Sequence, residues 1–237
     1  MIFTSATANA LGARDTNQDA WHATRHHLAV ADGVGGAPAG DVASALSVQA
    51  VSTTGGDSPE LLVAAANDLV RRHAETDPAT AGMGSTLDVA ILTKGRGRWV
   101  VRGAHVGDSV TIVQTAESME LLTRPHTLGL ELVAAGHLTE EEGARHPNRS
   151  ALVRAIGLEP VVRPDLWERT AVRGNRYVLC TDGLTNAVGQ ELWNLLAALR
   201  SAKPAMCADT LVQAACAAGA RDNVTVVVGD VSTAWLN

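Results

Sequence analysis

Six short apolar runs, at residues 28–31, 87–92, 99–106, 110–113, 177–180 and 224–228, constrain the fold of this chain more than any other feature. Each is rich in Val, Leu, Ile or Ala and most are bounded by turn-forming residues, the pattern of a buried strand. Helical patterns occupy 39–51, 59–74, 188–200 and 204–217, the last three opening near a proline or a plausible cap. The helices fall in pairs between groups of strands, whereas a doubly wound parallel sheet requires strict alternation. The expected class is therefore α+β, a sandwich of sheets and helices. Without an internal repeat, a low-complexity tract or a linker, the 237 residues are expected to form one domain.

Composition narrows the function. Hydrophobic residues make up 46% and charged residues 19% of the chain, as in ordinary globular proteins. The formal net charge of −6 and the absence of any Lys/Arg block argue against a nucleic-acid binder, which draws its affinity from clustered cations. No stretch approaches 18 consecutive apolar residues, and the opening MIFTSATANALGARD lacks a basic leader with an apolar core. A cytoplasmic location, no membrane association and a monomer are the expectations. Cys180, Cys207 and Cys216 have no close CxxC spacing, so neither a zinc site nor a disulfide framework is expected. All three are read as buried small hydrophobes.

Acidic residues gather where strands end. Asp32-Gly33 follows LAVA and Asp182-Gly183 follows YVLCT. A carboxylate there, with a glycine permitting close backbone approach, suits a hard cation that takes oxygen ligands. One such pair alone reads more simply as an Asp-Gly turn; two pairs weaken that reading. Asp108 in HVGDS also closes a run, Asp222 in ARDNVTVVV opens one, and Asp19 lies in TNQDA. Five carboxylates brought to one sandwich edge would repel strongly unless cations neutralised them. An all-oxygen set favours Mg²⁺ or Mn²⁺ over zinc. Two such ions can bridge and acidify a water for in-line displacement at phosphorus. Arg14, five residues before Asp19, is the candidate for the substrate phosphate, because its planar fork matches phosphate oxygens. Its plain reading is an exposed loop arginine.

Two rival chemistries fail on spacing. A dinucleotide loop beginning at Gly33 would need a small residue where Pro38 stands, and Asp32 would repel pyrophosphate. A cysteine-dependent phosphatase would need an arginine six positions after its thiolate. Those positions are Asn186, Gln213 and Asp222.

Seven motifs in order, RDTNQDA (14–20), VADGVGG (30–36), GMGSTL (82–87), HVGDS (105–109), LTRPHTL (121–128 with its flank), CTDGL (180–184) and RDNVTVVV (221–228), give the chain a resemblance to a known family. It resembles the metal-dependent protein phosphatases of the 2C type, particularly their bacterial members, along nearly its whole length. The resemblance implies a four-layer αββα sandwich of two mainly antiparallel sheets, with metals between the sheet ends. It implies that Asp32 bridges two ions, that the Gly33 carbonyl and Asp19 serve one, and that Asp182 and Asp222 hold the other. Asp108 is similar to the ligand of an additional weaker ion, and Arg14 to the phosphate-gripping arginine. The substrates implied are proteins phosphorylated on serine or threonine. The polar, Gly- and Pro-punctuated segment 127–164, with an amphipathic stretch at 127–135 and a capped one at 139–145, looks like the family's substrate-contacting flap. Four positions depart from the family pattern. Val34 stands in place of a histidine proposed as general acid in animal members, Val110 in place of arginine, Pro125 in place of aspartate, and Ser85 in place of threonine. The leaving-group acid then falls to a second metal-bound water or to a nearby histidine such as His126. A phosphatase-like domain that has lost catalysis and serves as a binding or regulatory protein is the alternative from another class; retention of Asp32 and Asp182 weighs against it.

Overall fold

The computed structural model describes residues 1–35, 37 and 39–233. Its strands are β1 (Ile2–Ala10), β2 (Asp19–Ala23), β3 (His27–Asp32), β4 (Leu87–Gly95), β5 (Arg98–Val106), β6 (Val110–Gln114), β7 (Met119–Leu121), β8 (Asp165–Thr170), β9 (Arg176–Cys180) and β10 (Val224–Ser232). Its helices are α1 (Gly40–Thr54), α2 (Pro59–Thr76), α3 (Leu128–Ala134), α4 (Glu140–Arg145), α5 (Asp182–Val188), α6 (Glu191–Ala198) and α7 (Pro204–Ala217). The strands form two five-stranded antiparallel sheets, the first ordered β2-β3-β4-β5-β8 and the second ordered β1-β10-β9-β6-β7.

Side-chain alternation assigns the layers. On β3, Ala29 and Ala31 pack toward α1 and α2, while Leu28 and Val30 pack toward the second sheet. On β10, Val224, Val226 and Val228 face α5 to α7, while Val227 and Val231 face the first sheet. Central strands are thus covered on both faces, which is why they read as mainly apolar runs. The result is the four-layer αββα sandwich, with an inner seam of Phe3, Leu28, Leu92, Tyr177, Leu179 and Val227 between the sheets.

Several expectations need correction. The helix expected at 188–200 is the shorter α6, Glu191–Ala198, and residue 188 instead ends the separate helix α5, which Gly189 at φ +54° closes. Asp182-Gly183 is the first turn of α5, entered directly from β9, and not a free turn. Asp108 lies in the turn beyond β5, and Asp222 lies two residues before β10. Cys180 and Cys207 are buried, but Cys216 is exposed on the last turn of α7. The two stretches of the segment 127–164 form α3 and α4, the latter with the capping box that Thr139 and Glu142 announce. Among the described residues no helix is long and apolar enough to cross a membrane.

Candidate active site

The site begins with strand register. In the antiparallel pairing of β2 with β3, Asp19 lies directly opposite Asp32, so both carboxylates share one face at the sheet end. Like charges so placed disfavour folding unless something compensates them. Asp32 is held through its backbone: its N–H donates to Thr86 Oγ1 at 2.9 Å, and its carbonyl accepts from Ser85 Oγ at 2.9 Å and from Thr86 N at 2.8 Å. The GMGSTL motif therefore builds the floor under Asp32. Gly33 touches Gly40 at the head of α1, where an added Cβ would stand 2.3 Å from the Gly40 carbonyl carbon and oxygen. Only glycine permits that approach.

The second sheet supplies the opposite wall. A Cβ on Gly183 would lie 1.9 Å from the Asn223 carbonyl oxygen, so the glycine after Asp182 allows the Asp182 and Asp222 loops to meet. Thr181 joins the sheets, its Oγ1 donating to Asp19 Oδ2 at 2.9 Å while accepting from Thr225 N at 3.0 Å. Asn186 Nδ2 donates to Asp182 Oδ2 at 2.9 Å. Asn223, almost fully buried, fastens the N-terminal loop. Its Nδ2 donates to the Leu11 and Thr16 carbonyls, each at 3.0 Å, and its Oδ1 accepts from Gln18 N at 2.8 Å. That loop carries Arg14, whose Nη2 donates to Asp222 Oδ2 at 2.8 Å.

A cleft of about 370 Å³ results, with Arg14, Asp32, Gly33, Asp108, Asp182 and Asp222 on its walls and Asp19 behind Thr181. Burial and neighbouring carboxylates raise the Asp32 pKa well above its usual value. Burial, partly offset by hydroxyl hydrogen bonds, pushes Asp19 up to about 6, and burial with the Asp182 charge pushes Asp108 up to about 7. Burial and Asp222 also raise Asp182. Asp19 Oδ1 and Asp182 Oδ1 are buried without any hydrogen-bond partner. Carboxylate oxygens orphaned in this way need a proton or a cation. An all-oxygen set short of donors fits Mg²⁺ or Mn²⁺. The side chains ring the cleft without closing into a finished cage: among the described residues no three Asp, Glu, His or Cys side chains stand grouped tightly enough to hold an ion as they are. One Asp222 oxygen is already taken by Arg14, at 2.8 Å.

Known proteins share this fold and much of this sequence. The family model described as protein phosphatase 2C matches residues 9–214. The chain belongs to the protein phosphatase 2C family. The serine/threonine protein phosphatase PstP of Mycobacterium tuberculosis is 38% identical over 227 residues, covering 92% of this chain but 43% of PstP, so the chain spans less than half of that relative. The serine/threonine phosphatase stp of Listeria welshimeri is 34% identical over 212 residues, covering 84% of this chain and 82% of its own length. A crystal structure of the PstP catalytic domain in complex with 2 manganese ions superposes with a TM-score of 0.83 at 33% identity, covering 98% of this chain and 99% of that one.

As a phosphatase 2C family chain, it brings all seven residues singled out in its sequence, Arg14, Asp19, Asp32, Gly33, Asp108, Asp182 and Asp222, to one end of the sandwich. His126 does not join them. It is 2% exposed, its Nδ1 accepts the Gly107 N–H at 3.1 Å, and its Nε2 lies 3.2 Å from Asp165 Oδ2. Burial and neighbouring His105 lower its pKa, in keeping with a neutral ring whose Nδ1 accepts. It is tied through Gly107 to the loop that presents Asp108 and does not line the carboxylate cleft. Val110, where the family usually has arginine, is buried on β6 against the α5 to α7 layer. Sequence reasoning assigned no role to Asn223 or Thr181, although both lie inside the quoted motifs. Their signal was position: each is adjacent to a candidate ligand.

Proposed function

We propose that this chain is a metal-dependent protein serine/threonine phosphatase acting on phosphoserine and phosphothreonine of other proteins. The observation that carries the reading is the meeting of Asp19 and Asp32 from one sheet with Asp182 and Asp222 from the other, two of their buried oxygens lacking partners. Asp32 with the Gly33 carbonyl and Asp19 would hold one divalent ion, Asp32 with Asp182 and Asp222 the second, and Asp108 a weaker third. The manganese-bound PstP domain supports two ions and manganese among the usable metals. When bound, such a pair neutralises the carboxylates, polarises the phosphoryl oxygens and lowers the pKa of a water for in-line attack.

The chain's own residues do the rest. Arg14, half exposed at the mouth, is free to exchange the Asp222 carboxylate for substrate phosphate oxygens, since its guanidinium presents several donors in one plane. Asn223 fixes the loop on which Arg14 stands, and Thr181 orients Asp19 by donating to one oxygen. Ser85 and Thr86 hold Asp32 by its backbone, leaving the carboxylate free. Cys180, buried with its thiol pKa pushed up, takes no part.

The test compares chelated protein with the same sample after manganese return, on p-nitrophenyl phosphate and on a phosphothreonine peptide. Turnover is expected only with metal, and Asp32→Ala and Asp182→Ala should each lose it and bind manganese more weakly by calorimetry. Metal-independent turnover would refute the mechanism. Binding of phosphopeptide without any turnover would establish the inactive regulatory alternative.

A further inference from the structure

Beside the carboxylate cleft, a larger cavity of about 650 Å³ opens beneath α3 and α4. Asp108 and Asp182 wall both spaces, which therefore form one trough with a charged end and an apolar end. The apolar end is bounded by Pro125, Leu130, Val133 and Ala144. Its roof is a close helix pair: a Cβ on Gly143 would lie 2.4 Å from Val133 Cγ2, and one on Gly129 would lie 2.9 Å from the Gly143 carbonyl oxygen. Leu130 nevertheless remains 37% exposed, an aliphatic side chain with unburied surface inside a concave space. Of the two arginines on its lining, Arg124 donates through Nη2 to the Leu130 carbonyl at 2.7 Å and Arg149 stands exposed at the rim.

We propose that the apolar chamber binds a large aliphatic or aromatic side chain of the substrate, within two residues of the phosphorylated one. The inference rests on the phosphatase reading above and adds a sequence preference to it. Continuity with the cleft identifies the occupant. A phosphoryl group anchored near Arg14 leaves the adjoining peptide to pass the shared wall of Asp108 and Asp182, and an extended chain advances ~3.3–3.6 Å per residue. The cavity falls within the roughly 300–1,000 Å³ typical of sites that enclose compact organic groups. Apolar pockets discriminate by about tenfold or more when several methylenes are lost.

Phosphothreonine peptides carrying Leu or Ala at each of the two positions on either side of the phosphoresidue test this, with manganese present and p-nitrophenyl phosphate as the flank-free reference. Leu in at least one position should raise kcat/KM about tenfold over the all-Ala peptide. Ala144→Trp, which narrows the chamber, and Leu130→Glu, which leaves it open but charged, should each erase that advantage and leave p-nitrophenyl phosphate turnover within about twofold. Equal wild-type rates on Leu and Ala peptides, or a Leu preference that survives both variants, would overturn the inference while leaving the phosphatase reading intact. Loss of p-nitrophenyl phosphate turnover in both variants would equally overturn it, by showing these walls to serve the reaction or the fold itself. A wild-type protein inert toward p-nitrophenyl phosphate and every peptide would sink the phosphatase reading and this inference with it.

Discussion

Replacing Asn223 with alanine separates the scaffold of the site from its chemistry. The side chain is 3% exposed and makes three hydrogen bonds to main-chain groups of the loop from Leu11 to Gln18. Each such bond is worth about 1 kcal/mol net, and leaving a buried backbone group unpaired costs about as much again or more. Water entering the vacated space recovers part of that, so a loss of about 3 kcal/mol is expected. For a chain of this size that corresponds to roughly 6–12 °C in Tm. The loop carries Arg14, so KM for phosphopeptides should rise together with the loss of stability. Urea unfolding of chelated Asn223→Ala, which removes any contribution of metal at neighbouring Asp222, measures the first effect, and steady-state kinetics with manganese measure the second. A loss below about 1 kcal/mol with unchanged KM would show that these bonds do not position the loop, and the reasoning would fail.

Three further outcomes are expected. Asp32→Asn should abolish turnover yet stabilise chelated protein by about 1 kcal/mol or more near pH 8, because an acid whose folded pKa is raised opposes folding at any pH above its unfolded value; unchanged or lower stability by urea titration would contradict this. Arg14→Ala should raise KM for phosphopeptides with little effect on folding, since its ion pair with Asp222 is exposed at both partners and worth under about 1 kcal/mol; a reduced kcat at constant KM would count against phosphate binding. Burial works against a charged His105 ring, but the charge and hydrogen bond of buried Asp88 overcome it and raise the pKa. Stability from that pair should be complete below about pH 6.5 and fall as pH rises through the higher folded value, and His105→Gln should flatten that part of the stability profile. A ring signal titrating below 6.5 by NMR would refute the assignment.

The sequence by itself determined the central strands, the flanking helices and the identity of the acidic residues. Residues such as 89–92 and 226–228 are apolar at every step because they are covered on both faces, and that pattern is visible without a structure. The strands that went unread, β1, β2, β7 and β8, are the four edges of the two sheets. Edge strands are covered on fewer sides and spell out no continuous apolar run, as the alternating exposure of β8 shows. The cost was specific, because β2 carries Asp19, and only its pairing reveals that Asp19 stands opposite Asp32.

Tertiary structure alone decided the partners across long separations. Thr181 reaches Asp19, Asn223 fastens the Arg14 loop, and Arg14 meets Asp222, each link joining residues at least 162 positions apart. His126 illustrates the same division: its place in a motif suggested chemistry, and only the folded chain shows it buried beside Gly107 and outside the cleft lining. Local sequence encodes periodicity, turns and chemical type, whereas distance between residues two hundred positions apart is a property of packing.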